Sequence, residues 1–146
     1  MSKVKPKIRR LESGDAATAA ALIRQFHSSV VPPDRIESLL SNEWNFLVVA
    51  EVEGDLAGFV WAYRLERLYG NPFVIFLYEI EVAPAYRRKG VGAELITFIR
   101  ELSNRERPTE MFLFTNHSNA AAVEFYNSTG AQMKNGDDLL FVYPAL

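Results

Sequence analysis

Apolar residues recur along this chain with two periods, and the places where the period changes mark its elements. Ile8 to Leu11 reads as a short first strand, and Glu12-Ser13-Gly14-Asp15 supplies a turn and an N-cap. An alanine-rich helix follows from Ala16 to about Ser28 until Val30-Val31-Pro32-Pro33 breaks it; Asp34 to Leu40 reads as a second, shorter helix. Asn45 to Val52 is a strand, Glu53-Gly54-Asp55 a hairpin turn, and Leu56 to about Leu65 the returning strand. After the turn at Gly70-Asn71-Pro72, Phe73 to Val82 opens with six consecutive apolar residues, as a central strand covered on both faces does. Ala83 to Lys89 is a loop. From Gly90 onward Val91, Leu95, Phe98, Ile99 and Leu102 share one helical face. Glu110 to Thr115 reads as a strand, and Asn119 to about Thr129 as a helix stopped by Gly130. Asn135-Gly136 predicts a hairpin between two last strands, near Gln132–Met133 and Leu139–Tyr143. The order β-α-α-β-β-β-α-β-α-β-β predicts a mixed α/β (α+β) single domain over residues 1–146.

Composition narrows the function. With 146 residues, 49% hydrophobic and 23% charged, the chain can bury one sizeable core. No apolar run is long enough to cross a bilayer, and the basic start, Met1 to Lys7, lacks the apolar segment of a secretory signal, so the expected location is cytoplasmic, with no membrane partner. Cysteine is absent, which removes disulfides, thiolate zinc sites and cysteine nucleophiles. A net charge of −2 argues against a nucleic-acid partner and suits a cationic one. His27 and His117 are far apart and lack ligand spacing, so no metal site is expected and neither histidine is given a role.

The segment Leu77-Tyr78-Glu79-Ile80-Glu81-Val82-Ala83-Pro84-Ala85-Tyr86-Arg87-Arg88-Lys89-Gly90-Val91-Gly92-Ala93 carries the chemistry. A buried strand feeds a basic, glycine-bearing turn that opens a helix. The first amides of a helix have no internal partner and its dipole favours negative charge there. Gly90 and Gly92 leave room for a phosphate to approach those amides. Arg87, Arg88 and Lys89 oppose the dipole unless an anion sits among them; the plain alternative is a solvated charge run over a loop. The turn is neither a Walker loop, lacking Gly-Lys-Ser/Thr, nor a dinucleotide fingerprint, lacking the third glycine.

Two motifs in order resemble those of the GNAT acetyltransferases. Arg87-Arg88-Lys89-Gly90-Val91-Gly92 is similar to the family's Gln/Arg-x-x-Gly-x-Gly/Ala signature, preceded by a matching strand end, Ile80-Glu81-Val82-Ala83-Pro84. Downstream, Asn119, Ala122, Val123, Phe125, Tyr126 and Gly130 fit the pattern Asn-x-x-Ala-ϕ-x-ϕ-Tyr-x-x-x-Gly, where ϕ is apolar, although Ala131 replaces the usual aromatic after the glycine. The resemblance implies a GNAT fold: a mostly antiparallel central sheet splayed between its fourth and fifth strands, with helices on both sides and acetyl-CoA in the split. It implies that residues Arg87, Arg88, Lys89, Gly90, Val91, Gly92 and Ala93 hold the pyrophosphate. Backbone groups of Ile80 and Val82 would pair with the pantetheine arm, an amide near Val82 would polarise the thioester carbonyl, and Asn119 would help hold the arm. Tyr126 would be the general acid for the departing thiolate; read without the motif, it is a core aromatic beside Phe125.

Glu79 and Glu81 stand at i and i+2 on an otherwise apolar strand, so they share a face. Ionised carboxylates are costly to bury unpaired, so they line a wet cleft facing a cation or lie on a polar rim. Glu79 is the general-base candidate, either directly or through water, or an anchor for a second ammonium. A closer resemblance, carried by Gly58-Phe59-Val60-Trp61-Ala62-Tyr63, Ile75-Phe76-Leu77-Tyr78-Glu79-Ile80 and Arg87-Arg88-Lys89-Gly90, is to the GNAT-type aminoglycoside 3-N-acetyltransferases, where a Tyr-Asp pair stands in the place of Tyr78-Glu79. It implies that Tyr78, Glu79, Glu81, Asp137 and Asp138 meet a polycationic amine. A different amine (polyamine, amino acid or peptide) and a non-catalytic CoA-binding module are the other readings. The sequence leaves open a monomer or a homodimer paired through the last strands; dimers are common in the superfamily.

Overall fold

The computed structural model describes residues 2–146, with residues up to Leu113 in one compact unit and Phe114–Leu146 in a second. In the first unit the chain runs β1 (Lys7–Arg10), α1 (Ala16–His27), α2 (Pro33–Ser41), β2 (Asn45–Val52), β3 (Asp55–Glu66), β4 (Phe73–Val82), a 3-10 turn (Pro84–Tyr86), α3 (Val91–Ser103) and β5 (Met111–Phe112). The strands form one sheet in the order β1-β2-β3-β4-β5. All neighbours are antiparallel except β4 and β5, which are parallel.

Each face of the sheet is covered for a reason legible in its residues. Leu47, Val49 and Phe59 alternate onto one face and pack with Leu11, Ala19, Leu22, Ile36 and Leu40 from α1, α2 and the segment before them. On the other side α3 packs across β2, β3 and β4 and buries Val91, Leu95, Ile96 and Ile99. Each such aliphatic side chain contributes about 1.5–3 kcal/mol when taken out of water. Gly58 permits the close packing of β3 on β4, since a Cβ there would sit 2.7 Å from the Glu81 carbonyl and 3.2 Å from Leu95 Cδ1.

Helix boundaries follow local chemistry. Pro33 sits in the first turn of α2, where a missing N–H does no harm. Asp15 precedes α1, but its carboxylate does not cap the helix; it accepts from the Glu12 amide at 2.8 Å and from Arg9 at 3.1 Å. The Glu12 amide bond, with Arg9 behind it, holds the Asp15 carboxyl below the usual carboxylate range.

The second unit contains α4 (Ala120–Ser128), capped by Asn119 and closed by Gly130 at φ +95°. The two last strands expected near Gln132–Met133 and Leu139–Tyr143 do not form; the segment holds only a turn, with Asn135 bonded to Asp138 and to the Asp137 amide. The Asn-Gly signal marked the turn correctly, but a hairpin also needs a surface to bury its apolar face. Leu139, Leu140, Phe141, Val142 and Tyr143 are all exposed. The strand expected over Glu110–Thr115 shrinks to Met111–Phe112.

Candidate active site

The site is organised by an irregularity in β4. Trp61 pairs with Glu79 while its neighbour Ala62 pairs with Leu77, which leaves Tyr78 as an extra, bulged residue. Because alternate residues face opposite ways, the bulge separates the buried Leu77 from Glu79. Glu79 and Glu81 therefore emerge on the face of Trp61 and Phe59, toward α1. The predicted sharing of one face by the two carboxylates holds; the bulge decides which face.

His27, in the last turn of α1, meets them there. Its Nε2 lies 3.0 Å from Glu79 Oε2, 3.1 Å from Glu79 Oε1 and 3.8 Å from Glu81 Oε2. Two carboxylates converging on one ring nitrogen require that Nε2 carry its proton. The ring rests edge-on against Phe59, which in turn packs on Phe26. Glu81 Oε2 is buried and has no hydrogen-bond partner, an acceptor short of a donor. Beside the carboxylates runs an aromatic wall: Trp61 donates to the Tyr63 hydroxyl at 2.7 Å, and Tyr78 meets Tyr63 and Phe76 edge-on, each at 5.9 Å. Tyr78 is 63% exposed. The His27–Glu79–Glu81 convergence had no signal in the linear chain, since 52 residues separate His27 from Glu79.

At the other end of β4 the sheet opens. Only Ile75 and Phe76 pair with β5, through Met111 and Phe112, so Leu77 to Val82, including Ile80, run on without a strand on that side. The chain then turns through Pro84–Tyr86, anchored by the Ala83 amide on the Ala57 carbonyl at 2.8 Å. Arg87 Nε donates to the Val82 carbonyl at 3.1 Å. Arg88 and Gly90 take left-handed conformations at φ +61° and +90°, after which α3 begins. Its first internal bond is Glu94 N to Gly90 O, so the amides of Val91, Gly92 and Ala93 precede the ladder and point out of its start. Lys89 lies 5.9 Å from the Tyr86 ring centroid. The N-terminal segment adds a cation that sequence reading passed over: Val4 N donates to Lys89 O at 3.0 Å, and the Lys3 stem lies 3.6 Å from where a Gly90 Cβ would be. Amides, guanidinium groups and ammonium groups around glycine are the donor set that a pyrophosphate requires.

In the second unit Asn119 Oδ1 accepts from the Ala122 amide at 3.1 Å, so the oxygen is committed to the cap and the Nδ2 hydrogens are its remaining polar handle. Tyr126 packs edge-on to Phe125 at 5.3 Å, and burial pushes its phenol above the ordinary value. Asp137 and Asp138 lie on the exposed turn after Asn135.

The model of the acetyltransferase (GNAT) family matches residues 16–131. The chain belongs to the GNAT family. This GNAT protein is 34% identical over 101 residues to the N-alpha-acetyltransferase RimI of Mycobacterium tuberculosis, covering 69% of this chain and 61% of that one. It is 24% identical to the uncharacterized N-acetyltransferase YhfO of Bacillus subtilis, over 88% of this chain and 91% of the other. Among solved structures, an aminoglycoside acetyltransferase from an uncultured soil metagenomic sample, crystallised with trehalose, superposes with a TM-score of 0.87 at 25% identity, covering 97% and 96% of the two chains. Aminoglycoside N-acetyltransferase AAC(6')-Iy, crystallised with CoA, superposes at 0.77 and 21%, again over 97% and 96%. This GNAT protein is an N-acetyltransferase with the family's cofactor, acetyl-CoA. Of these two structures, one is named simply an aminoglycoside acetyltransferase and the other AAC(6')-Iy; neither name specifies the 3-N type. Among the described residues no helix is long and apolar enough to cross a membrane.

Proposed function

We propose that this GNAT enzyme acetylates a primary amine of a cationic small molecule, with an aminoglycoside acetylated at its 3-N position as the first acceptor class. The observation that carries the reading is the bulge at Tyr78, which aims Glu79 and Glu81 together onto a wall of aromatic residues beside His27. A paired anionic cluster on an apolar surface favours an ammonium group. The aminoglycoside class is supported by the likeness at 25% identity to the soil aminoglycoside acetyltransferase, and the 3-N position by the Tyr78-Glu79 pair alone.

When bound, acetyl-CoA supplies the acetyl group as a thioester, whose C–S bond breaks as the amine forms the new N–C bond. Glu79 takes the amine's proton, and His27 holds the carboxylate in place through Nε2–H. Tyr126, its phenol kept protonated by burial, gives a proton to the departing sulfur. Arg87, Arg88, Lys89 and the amides of Val91, Gly92 and Ala93 hold the pyrophosphate; the open edge at Ile80 and Val82 receives the pantetheine arm, with Asn119 steadying it. Tyr78, Asp137 and Asp138 contact the acceptor.

The test is free-thiol release from acetyl-CoA with gentamicin-type and kanamycin-type aminoglycosides, spermidine and short peptides, followed by mapping of the acetylated nitrogen. Turnover on aminoglycosides with acetylation at the 3-N position supports the reading. Turnover confined to other amines keeps the acetyl transfer and discards the aminoglycoside. The likeness to RimI, an N-alpha-acetyltransferase, makes an α-amine the second reading.

A further inference from the structure

One cavity beside Glu79 has apolar walls to which the proposed reaction gives no role. It has a volume of about 170 Å³, lies between α1, α2 and the sheet, and is walled by Ala19, Leu22, Ile36, Leu40, Leu47 and Phe59. All six are buried hydrophobic residues. Ile23 and Trp61, both half-buried, also line it, and Leu39, His27 and Glu79 reach solvent: Leu39 is 37% exposed, and the side chains of His27 and Glu79 are 44% and 30% exposed. The cavity is therefore apolar inside and ends at the carboxylate proposed as the base.

Apolar walls gain little from water that enters such a space, so its replacement by an apolar group is favourable. Cavities of about this size in apolar cores bind benzene-sized groups. Apolar walls with a few convergent polar groups at one end are the usual form of a small-molecule site. At that end Glu81 Oε2 is buried and lacks a donor, which an incoming ammonium would provide. Aminoglycoside rings cannot use the interior, since their hydroxyl groups would be stranded without partners.

We infer that the cavity takes an apolar side chain, of leucyl or benzyl size, carried beside the acceptor's amine, so that amines of this class are acceptors in addition to aminoglycosides. The side chain enters between α1 and α2 while the ammonium stays at the mouth, between Glu79 and Glu81. The acetylation part rests on the proposed acetyl transfer at Glu79; the binding part does not.

Leucinamide, phenylalaninamide and glycinamide share an α-ammonium of similar basicity and differ in side chain alone, so calorimetric titration of the full chain with each isolates the cavity. Leucinamide should bind about 10- to 100-fold more tightly than glycinamide, the usual return for burying such a side chain. Equal affinities would overturn the inference, whatever the enzyme acetylates. Two variants locate the effect: Ala19→Leu fills the interior, and Leu39→Trp plugs the rim without touching the core. Each should bring the leucinamide-to-glycinamide ratio toward one; a well-folded Leu39→Trp that keeps the full ratio would place the side chain elsewhere and overturn the assignment. Thiol release on the same amides then separates the two readings. Turnover favouring leucinamide supports both. Selective binding without turnover on any amine, aminoglycosides included, contradicts acetyl transfer at Glu79 and the acceptor role while leaving the pocket. Turnover on aminoglycosides alone contradicts the acceptor class and spares the proposed function.

Discussion

The two ends of β4 are built differently. At the proposed coenzyme end, the loop from Arg87 to Ala93 gathers its donors from a single stretch: three cationic side chains, and three backbone amides aligned by the start of α3. At the acceptor end, three side chains from two elements converge: His27 from α1, and Glu79 and Glu81 from β4. Amide donors on one stretch of chain depend on its dihedral angles; a site of side chains converging from separate elements depends on packing and on each chemical group. Damage to the first should weaken coenzyme binding, and damage to the second should slow the reaction.

The largest effect expected is from Glu79→Gln, which keeps shape and removes the base. It should lower kcat/KM for the amine about 10²- to 10⁴-fold in steady-state assays, and leave the KM for acetyl-CoA near its original value. Gly58→Ala comes next, because the added methyl would lie 2.7 Å from the Glu81 carbonyl and must part β3 from β4. A loss of about 1–3 kcal/mol in denaturant unfolding is expected, with the coenzyme end disturbed more than the acceptor end, because Gly58 pairs with Val82 and faces Leu95 of α3. Gly90→Ala meets only ordinary contacts with the Lys3 stem, so its penalty is the left-handed backbone at φ +90°, about 1–2 kcal/mol. The KM for acetyl-CoA should rise while kcat changes little. His27→Gln should lower kcat several-fold, because the Nε2–H that holds Glu79 is replaced by a shorter amide; an unchanged kcat would show that His27 merely packs on Phe59.

The smallest effect is a control remote from both ends. The Asp15 carboxyl is held below its ordinary value by the Glu12 amide and Arg9, so its contribution to stability is present above the unfolded pKa and lost as pH falls through the folded one. Asp15→Asn should therefore be less stable than the parent by about 1 kcal/mol or less at neutral pH, and should converge with it in acid. Turnover should be unaffected.

The difference between the two ends also explains what could be read in advance. The basic glycine turn is contiguous, so Arg87, Gly90 and Gly92 could be picked out together once their resemblance to the family signature was added to their spacing, and the helix behind them announced itself through Val91, Leu95 and Ile99. The three long strands were likewise legible, because Asn45–Val52, Leu56–Leu65 and Phe73–Val82 carry long apolar runs between turn residues. The bulge at Tyr78 was not, since no residue in Leu77-Tyr78-Glu79 demands one and only the pairing with Trp61 and Ala62 reveals it. His27 could not be placed either, because its partners are fixed by the packing of α1 against Phe59. The last strands failed for the opposite reason: Leu139–Tyr143 has the local pattern of a strand, but pattern alone gives it nothing to pair with.

The most direct test of the account is to measure coenzyme affinity and acetyl transfer on Glu79→Gln and Gly90→Ala side by side, by calorimetry with CoA and by thiol release with a turned-over amine. The account predicts a crossed result: Glu79→Gln binds CoA normally and transfers acetyl slowly, while Gly90→Ala binds CoA weakly and transfers at nearly the original kcat once saturated. A Glu79→Gln enzyme that retains full kcat would contradict the assignment of the base and, with it, the reading of the acceptor end.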